Sequence, residues 1–188
     1  DDITYLVKGE HTQEEGVNEK PVVIPEIQEW YAWSNGTVAL DEITKVFYDD
    51  VSLEPIVDEF IADYKDITGR SLSKTTDKAA AGQFNFLMNA GGSDLGEEGY
   101  GMDITGGGVI IYSTSVTGNM YGAQTILQMV SQDPDEMPEG MMRDYPRFEV
   151  RGLLLDIARK PIGMEMIWEI ARTMRYYKMN DFQLHLSD

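Results

Sequence analysis

Residues 147–188 read RFEVRGLLLDIARKPIGMEMIWEIARTMRYYKMNDFQLHLSD, and this stretch decides the fold class. An apolar run from Gly152 to Leu155 is followed by an amphipathic stretch, Met164 to Met179, and by a second apolar run, Phe182 to Leu186. That succession is the strand, helix and strand of a parallel sheet. Asp156 and Arg159 close the first strand and Asp188 closes the second. In a parallel α/β barrel, charged residues at the carboxyl ends of strands are where active sites gather. One such unit does not make a domain, so residues 147–188 are expected to be the first β-α-β unit of a (β/α)8 barrel, truncated after it.

Upstream, residues 133–146 open with Asp133-Pro134-Asp135-Glu136-Met137-Pro138-Glu139-Gly140, whose prolines and acids predict a linker. Residues 21–132 predict an α+β two-layer domain, an antiparallel sheet with two helices on one face. Its signals are short strands on either side of the turn Ser34-Asn35-Gly36, a strand from Thr44 to Tyr48, and a helix from a Ser52 N-cap to Thr68 that Gly69 ends. Ile56, Val57, Phe60, Ile61, Tyr64 and Ile67 give that helix one apolar face. Phe84 to Met88 predicts a strand. Tyr100 to Ile104 and Val109 to Ser113 predict a hairpin turning at Thr105-Gly106-Gly107-Gly108, whose glycines would supply positive φ, and a second helix follows Gly118. Residues 1–20 predict a tether, with Ile3 to Val7 a candidate edge strand. Asn35-Gly36-Thr37 is formally a glycosylation sequon, though an Asn-Gly turn explains it.

The composition, 42% hydrophobic and 26% charged, suits a folded core and argues against wholesale disorder. No apolar run approaches the ~20 residues of a bilayer span, and no signal segment begins the chain, so membrane insertion is not expected. The net charge of −18 is uneven: residues 1–140 carry seven Lys/Arg against 26 Asp/Glu, and residues 141–188 carry eight against seven. So acidic a surface repels nucleic acid and anionic membranes. With no cysteine, and with His11 and His185 far apart in sequence, no metal-ligand spacing arises; the Gly106 triplet lacks the lysine of a phosphate-binding loop, so no cofactor is expected.

Arg159 and Asp188 are separated by one loop, one helix and one strand, which brings both to one rim, as site residues or as an ion pair holding loops. Asp156 is placed to orient Arg159 or a backbone amide. His185, inside an apolar strand, is either a satisfied interior histidine or a support to the rim. Arg151 starts the first strand, at the stability end. Trp168, Met174 and Tyr177 are expected to cover the sheet, while Trp30 and Trp33, three apart on a strand, face opposite ways and make no joint sugar platform.

These residues resemble glycoside hydrolase family 20, the β-N-acetylhexosaminidases and lacto-N-biosidases. The barrel stretch carries it in Arg147-Phe148, Arg151-Gly152, Leu155-Asp156-x-Ala158-Arg159, Tyr177-Lys178-Met179-Asn180 and His185-Leu186-Ser187-Asp188. Gln183 and Lys160 depart from it, standing where the family often has histidine. The preceding part is similar to the family's accessory domain in Leu95-Gly96-x-Glu98-Gly99-Tyr100 and Gly118-x-x-Tyr121-Gly122-x-Gln124-Thr125-x-x-Gln128.

The resemblance implies an exo-acting, retaining, substrate-assisted hydrolase of terminal β-linked N-acetylhexosamine, in which the sugar's acetamido oxygen attacks the anomeric carbon to form an oxazolinium. It implies that Arg159 grips sugar hydroxyls, that Asp188 supports the site, and that Asp156 and His185 back them. The proton-donating Glu and the acetamido-orienting Asp would lie on the fourth barrel strand, beyond residue 188, leaving residues 1–188 inactive by themselves. A lacto-N-biosidase, or a non-catalytic binding module, is the alternative. A secreted or cell-surface location follows from the substrate class, and the exposed apolar face of a truncated barrel unit predicts self-association or folding back.

Overall fold

The structure is a computed structural model that describes Gly9 and residues 15–78, 81–90 and 93–187. The Ile3 to Val7 run, most of the expected tether, His11 and Asp188 lie outside the described residues. The chain divides into two compact units between Tyr145 and Pro146.

The first unit is built on a mixed seven-stranded sheet. Its strands are β1 (Glu29–Tyr31), β3 (Lys45–Tyr48), β4 (Ser73–Thr75), β5 (Gln83–Met88), β6 (Tyr100–Thr105), β7 (Gly108–Ser113) and β9 (Gly140–Asp144), in the order β1-β9-β6-β7-β5-β3-β4. A separate pair joins β2 (Thr37–Ala39) to β8 (Glu136–Pro138). The expected antiparallel sheet needs correcting, because β3 runs parallel to β4 and β5, and β5 parallel to β7. The reason is connectivity: helix α1 (Glu54–Thr68) carries the chain from β3 back to the same end before β4 begins, whereas the β6–β7 hairpin reverses it. Within the seven-stranded sheet, antiparallel pairing is confined to β1, β9, β6 and β7; the separate β2–β8 pair is antiparallel too.

The stretch expected as a linker is part of the fold. Residues 136–138 and 140–144 form β8 and β9, and β9 lies between β1 and β6 with Met142 fully buried. Strand identity follows cross-strand partners more than local composition, and the partner of Met141 is Tyr31, 110 positions earlier. The two short strands flanking Ser34-Asn35-Gly36 likewise do not pair with each other, since β1 takes β9 and β2 takes β8. The end of the expected tether is tied in: Asn18 Nδ2 donates to Gly36 O (2.7 Å) and Glu139 O (3.0 Å), and Trp30 Nε1 donates to Asn18 O.

Both helices lie on one side of the sheet. On α1, Val57, Phe60 and Tyr64 are buried, and Phe60 meets Phe84 and Phe86 edge to face with centroids 5.1 and 5.3 Å apart. Ile67, expected on that apolar face, is instead exposed. Ser52 is not the cap; Asp50 caps a single 3-10 turn at Val51–Leu53 and accepts the Ser52 N–H at 2.8 Å, because its carboxylate reaches two residues forward. Helix α2 (Val116–Gln132) starts from Ser115, whose Oγ accepts the Gly118 N–H. Gly118 is obligatory for space, as a Cβ there would lie 2.0 Å from Ser113 Oγ and 2.3 Å from Gly99 O. In the β6–β7 turn only Gly108 has the left-handed φ expected of all the glycines, at +134°, and its missing Cβ lets Gln83 O approach. Polar residues of α2 also fasten the chain, the Gln128 amide donating to Ile24 O (2.8 Å) and accepting from Ile24 N (2.7 Å).

The other side of the sheet is partly polar. Tyr31, Met141, Asp103, Ile110, Asn85 and Phe47 are register neighbours and form one row across it. Arg143, on the same side, is 3% exposed and pairs with Asp94 (2.5 Å) and, more loosely, with Glu29 (3.6 Å). Burial, with the Glu139 carboxylate adding to it, pushes Asp103 up to about 6. The folded chain therefore holds a proton that the unfolded chain releases near its ordinary value, so stability falls as pH rises from about 4 to about 6 and stays lower above. Asp103→Asn is expected to flatten that slope and to raise stability at neutral pH by on the order of 2 kcal/mol. Urea midpoints on both sides of the window check it; a variant with an unchanged slope would refute the assignment.

Candidate functional site

The second unit consists of β10 (Gly152–Asp156), α3 (Met164–Tyr176) and β11 (Asp181–His185). β10 and β11 are parallel and in register from Gly152↔Asp181 to Asp156↔His185. Asp156 and His185 are thus direct neighbours at the carboxyl ends of two parallel strands. Ile157 N donates to His185 O at 3.1 Å, continuing the ladder one step past them.

Beyond β10 the chain bends, and Asp156 shapes the bend. Its Oδ1 accepts the backbone N–H of Ala158 (3.0 Å) and of Arg159 (3.2 Å), the local turn that an aspartate supports by standing in for a backbone carbonyl. Asp156 therefore holds the backbone that presents Arg159, and the Arg159 side chain is exposed at the rim. The rim accordingly brings together Asp156, Arg159 and His185 of the four residues expected there, and Asp188, the fourth, lies outside the described residues. Strand alternation puts Asp156 and His185 on the side that also carries Leu154 and Gln183, the opposite side from Leu155, Phe182 and Leu184. A carboxylate and an imidazole at neighbouring strand ends, with an arginine three residues past one of them, are residue types whose donors and acceptors suit a diol or an amide.

The opposite end is a lock. Arg151 N donates to Asn180 Oδ1 (2.9 Å), Arg151 Nε to Lys178 O (2.8 Å) and Nη1 to Phe148 O (2.7 Å), while Asn180 N returns to Arg151 O (3.0 Å). These bonds join the entrances of the two strands. They leave the carboxyl ends as the place for chemistry.

Helix α3 differs from expectation. Met174 is buried, but Trp168 is 62% and Tyr177 39% exposed. At about 100° per residue, Trp168 and Met174 lie about 120° apart around the helix, which puts Trp168 at or beyond the edge of the face that buries Met174. Leu154, Met164, Met166, Phe148 and Leu186 are also exposed. Parallel strands are ordinarily covered on both faces, and so much uncovered apolar side chain marks surfaces that further strands and helices of a barrel would bury.

Sequence reasoning missed the buried Arg143 hub and the pairing of Tyr31 with Trp33, whose rings lie 6.3 Å apart at 41°. The second has no period to reveal it, because β1 ends at Tyr31 and Trp33 lies in the bend beyond it. The first had no local signal.

Comparison with known proteins agrees with both units. Residues 20–145 match the model of glycosyl hydrolase family 20, domain 2, and residues 148–188 match the glycosyl hydrolase family 20 catalytic domain. The N,N'-diacetylchitobiase of Vibrio harveyi is 38% identical over 90 residues, 47% of this chain and 10% of that protein. A beta-hexosaminidase of Akkermansia muciniphila is 34% identical over 97 residues, 50% of this chain and 20% of that protein. Among solved structures, the Streptomyces plicatus N-acetyl-beta-hexosaminidase in complex with Thio-NAglucal superposes with a TM-score of 0.78 at 26% identity, covering 88% of this chain and 34% of that one. The Vibrio harveyi exo beta-N-acetylglucosaminidase in complex with N-acetylglucosamine has the same fold, with a TM-score of 0.77 at 22% identity over 93% of this chain and 27% of that one. The matched stretch thus spans between a tenth and a fifth of these curated relatives' own length.

Proposed function

Because the chain belongs to glycosyl hydrolase family 20, we propose that the protein it is part of is an exo-acting β-N-acetylhexosaminidase, with residues 1–188 forming its accessory domain and the opening of its catalytic barrel. The observation that carries the proposal is the rim: two parallel strands in register end together on Asp156 and His185, and Asp156 fixes the backbone of Arg159 by two amide hydrogen bonds.

In this reading Arg159 binds the hydroxyls of the terminal N-acetylhexosamine. Its planar fork of donors meets a vicinal diol with little loss of freedom, since the turn beneath it is already set. Asp188 and His185 support the same sugar from the end of the second strand. The acetamido oxygen of the substrate is the nucleophile, so the protein supplies no covalent partner. A later strand of the barrel supplies the Asp that orients the acetamide and the Glu that protonates the leaving oxygen. Residues 1–188 by themselves are then without turnover. Substrate class and the acidic accessory surface together favour action outside the cell or at its surface. The uncovered apolar side chains of the second unit favour self-association when it is isolated.

Hydrolysis of p-nitrophenyl N-acetyl-β-glucosaminide tests this, comparing the 188-residue chain with the product of its gene extended to the end of the reading frame. Turnover by the longer product alone is expected. Turnover by the 188-residue chain would overturn the division of labour, and silence in both on this substrate and on a lacto-N-bioside would overturn the activity.

A further inference from the structure

β1 is an edge strand of the seven-stranded sheet, and its residues divide by side. Trp30 goes into the core at 7% exposure, with its indole N–H on Asn18 O. Tyr31 points to the other side, and Trp33, in the bend just past the strand, meets it with the two rings tilted into a shallow V, centroids 6.3 Å apart; Trp33 is 42% exposed. One residue on from Trp33, Ser34 Oγ donates to Glu139 Oε2 at 2.9 Å and in turn accepts the Gly36 N–H at 3.0 Å. Met141, the register partner of Tyr31, is part-exposed next to it.

We propose that this face of the accessory unit is a second glycan-binding subsite, built wholly from the first unit, which holds one pyranose ring of a neutral β-linked N-acetylhexosamine chain. The argument is one of matching chemistry. The flat C–H face of a pyranose needs an exposed aromatic surface, and Tyr31 with Trp33 provides two tilted rings at little cost in side-chain freedom. Its hydroxyls and amide N–H need acceptors at the margin, and Glu139 with Ser34 provides them in a geometry already fixed by their mutual hydrogen bond. The indole N–H of Trp33 makes no hydrogen bond among the described residues and is a donor for a sugar oxygen. The charge decides against anionic sugars, because residues 1–140 carry 26 acids against seven bases. The sugar's identity rests on the hexosaminidase reading; the aromatic platform does not.

An NMR titration of the labelled 188-residue chain with N,N',N''-triacetylchitotriose tests the subsite. Saturable shifts are expected at the Trp33 indole and at the Tyr31, Ser34 and Glu139 amides, with a dissociation constant of about 1 mM. Trp33→Ala is expected to weaken binding about tenfold, and Tyr31→Ala to weaken it measurably, while the dispersed amide spectrum stays folded. Arg159→Ala is expected to leave these shifts in place. Shifts confined to Asp156, Arg159 and His185, and abolished by Arg159→Ala, would overturn the subsite while leaving the barrel-rim reading standing. No saturable shift, or binding that Trp33→Ala retains, would also overturn it.

Discussion

Phe60→Ala is expected to cost the first unit about 3–5 kcal/mol, the largest single effect on stability among these changes. Phe60 is 1% exposed and sits where α1 crosses the sheet, with Tyr64, Phe84 and Phe86 around its ring at centroid distances of 5.1 to 5.9 Å. Truncation removes the ring's transfer free energy and its edge-to-face contacts, and leaves a cavity. Strand backbones on one side and a helix on the other do not close such a cavity easily. At the usual scale of domain stability this is a large fraction of the total, so the variant is expected to be largely unfolded well below the wild-type urea midpoint. The buried indole of Trp30 reports the transition, since Trp33 and Trp168 are already exposed. A midpoint within error of wild type would mean that α1 does not seal the sheet at Phe60.

The second large effect concerns activity. In the protein carrying its whole barrel, Arg159→Ala is expected to lower kcat/KM for aryl N-acetyl-β-glucosaminides by roughly 100-fold, about 3 kcal/mol of charge-assisted hydrogen bonding to the sugar. Arg159→Lys is expected to recover little, because an ammonium lacks the fork that meets two hydroxyls at once. Stability provides the control. Arg159 is exposed, and its backbone N–H, which the alanine variant keeps, bonds to Asp156 Oδ1, so that variant is expected to unfold within about 0.5 kcal/mol of wild type. Asp156→Ala removes the acceptor of both amide bonds and should disturb both readouts. An Arg159→Ala enzyme of normal kcat/KM would remove Arg159 from the site.

The two predictions fall on features of unequal visibility. The face of α1 that carries Phe60 is legible in sequence, because three- and four-residue spacing needs no knowledge of the partner. The rim is half legible. Strand, helix and strand can be read from residues 152–186, and the polar residues after each strand can be seen, but their meeting depends on register. A one-residue slip between β10 and β11 would send His185 to the other side of the sheet from Asp156. The misplacement of Trp168 and Tyr177 has a different origin: Trp168 lies about 120° around the helix from Met174, and Tyr177 follows the last residue of α3.

By itself, then, the sequence determined the elements whose signals are local: α1, α2 and α3, the β6–β7 hairpin, the parallel β10–β11 unit, the acidic bias of residues 1–140 and the family resemblance. Tertiary structure alone decided what depends on distant partners. It made strands of residues 136–138 and 140–144, set half of the main sheet parallel, buried Arg143 between Asp94 and Glu29, and turned Tyr31 and Trp33 outward as a pair. The physical reason is that a helix satisfies its backbone from within four residues, whereas a strand's hydrogen bonds and the burial of its side chains are supplied by segments that may stand a hundred residues away.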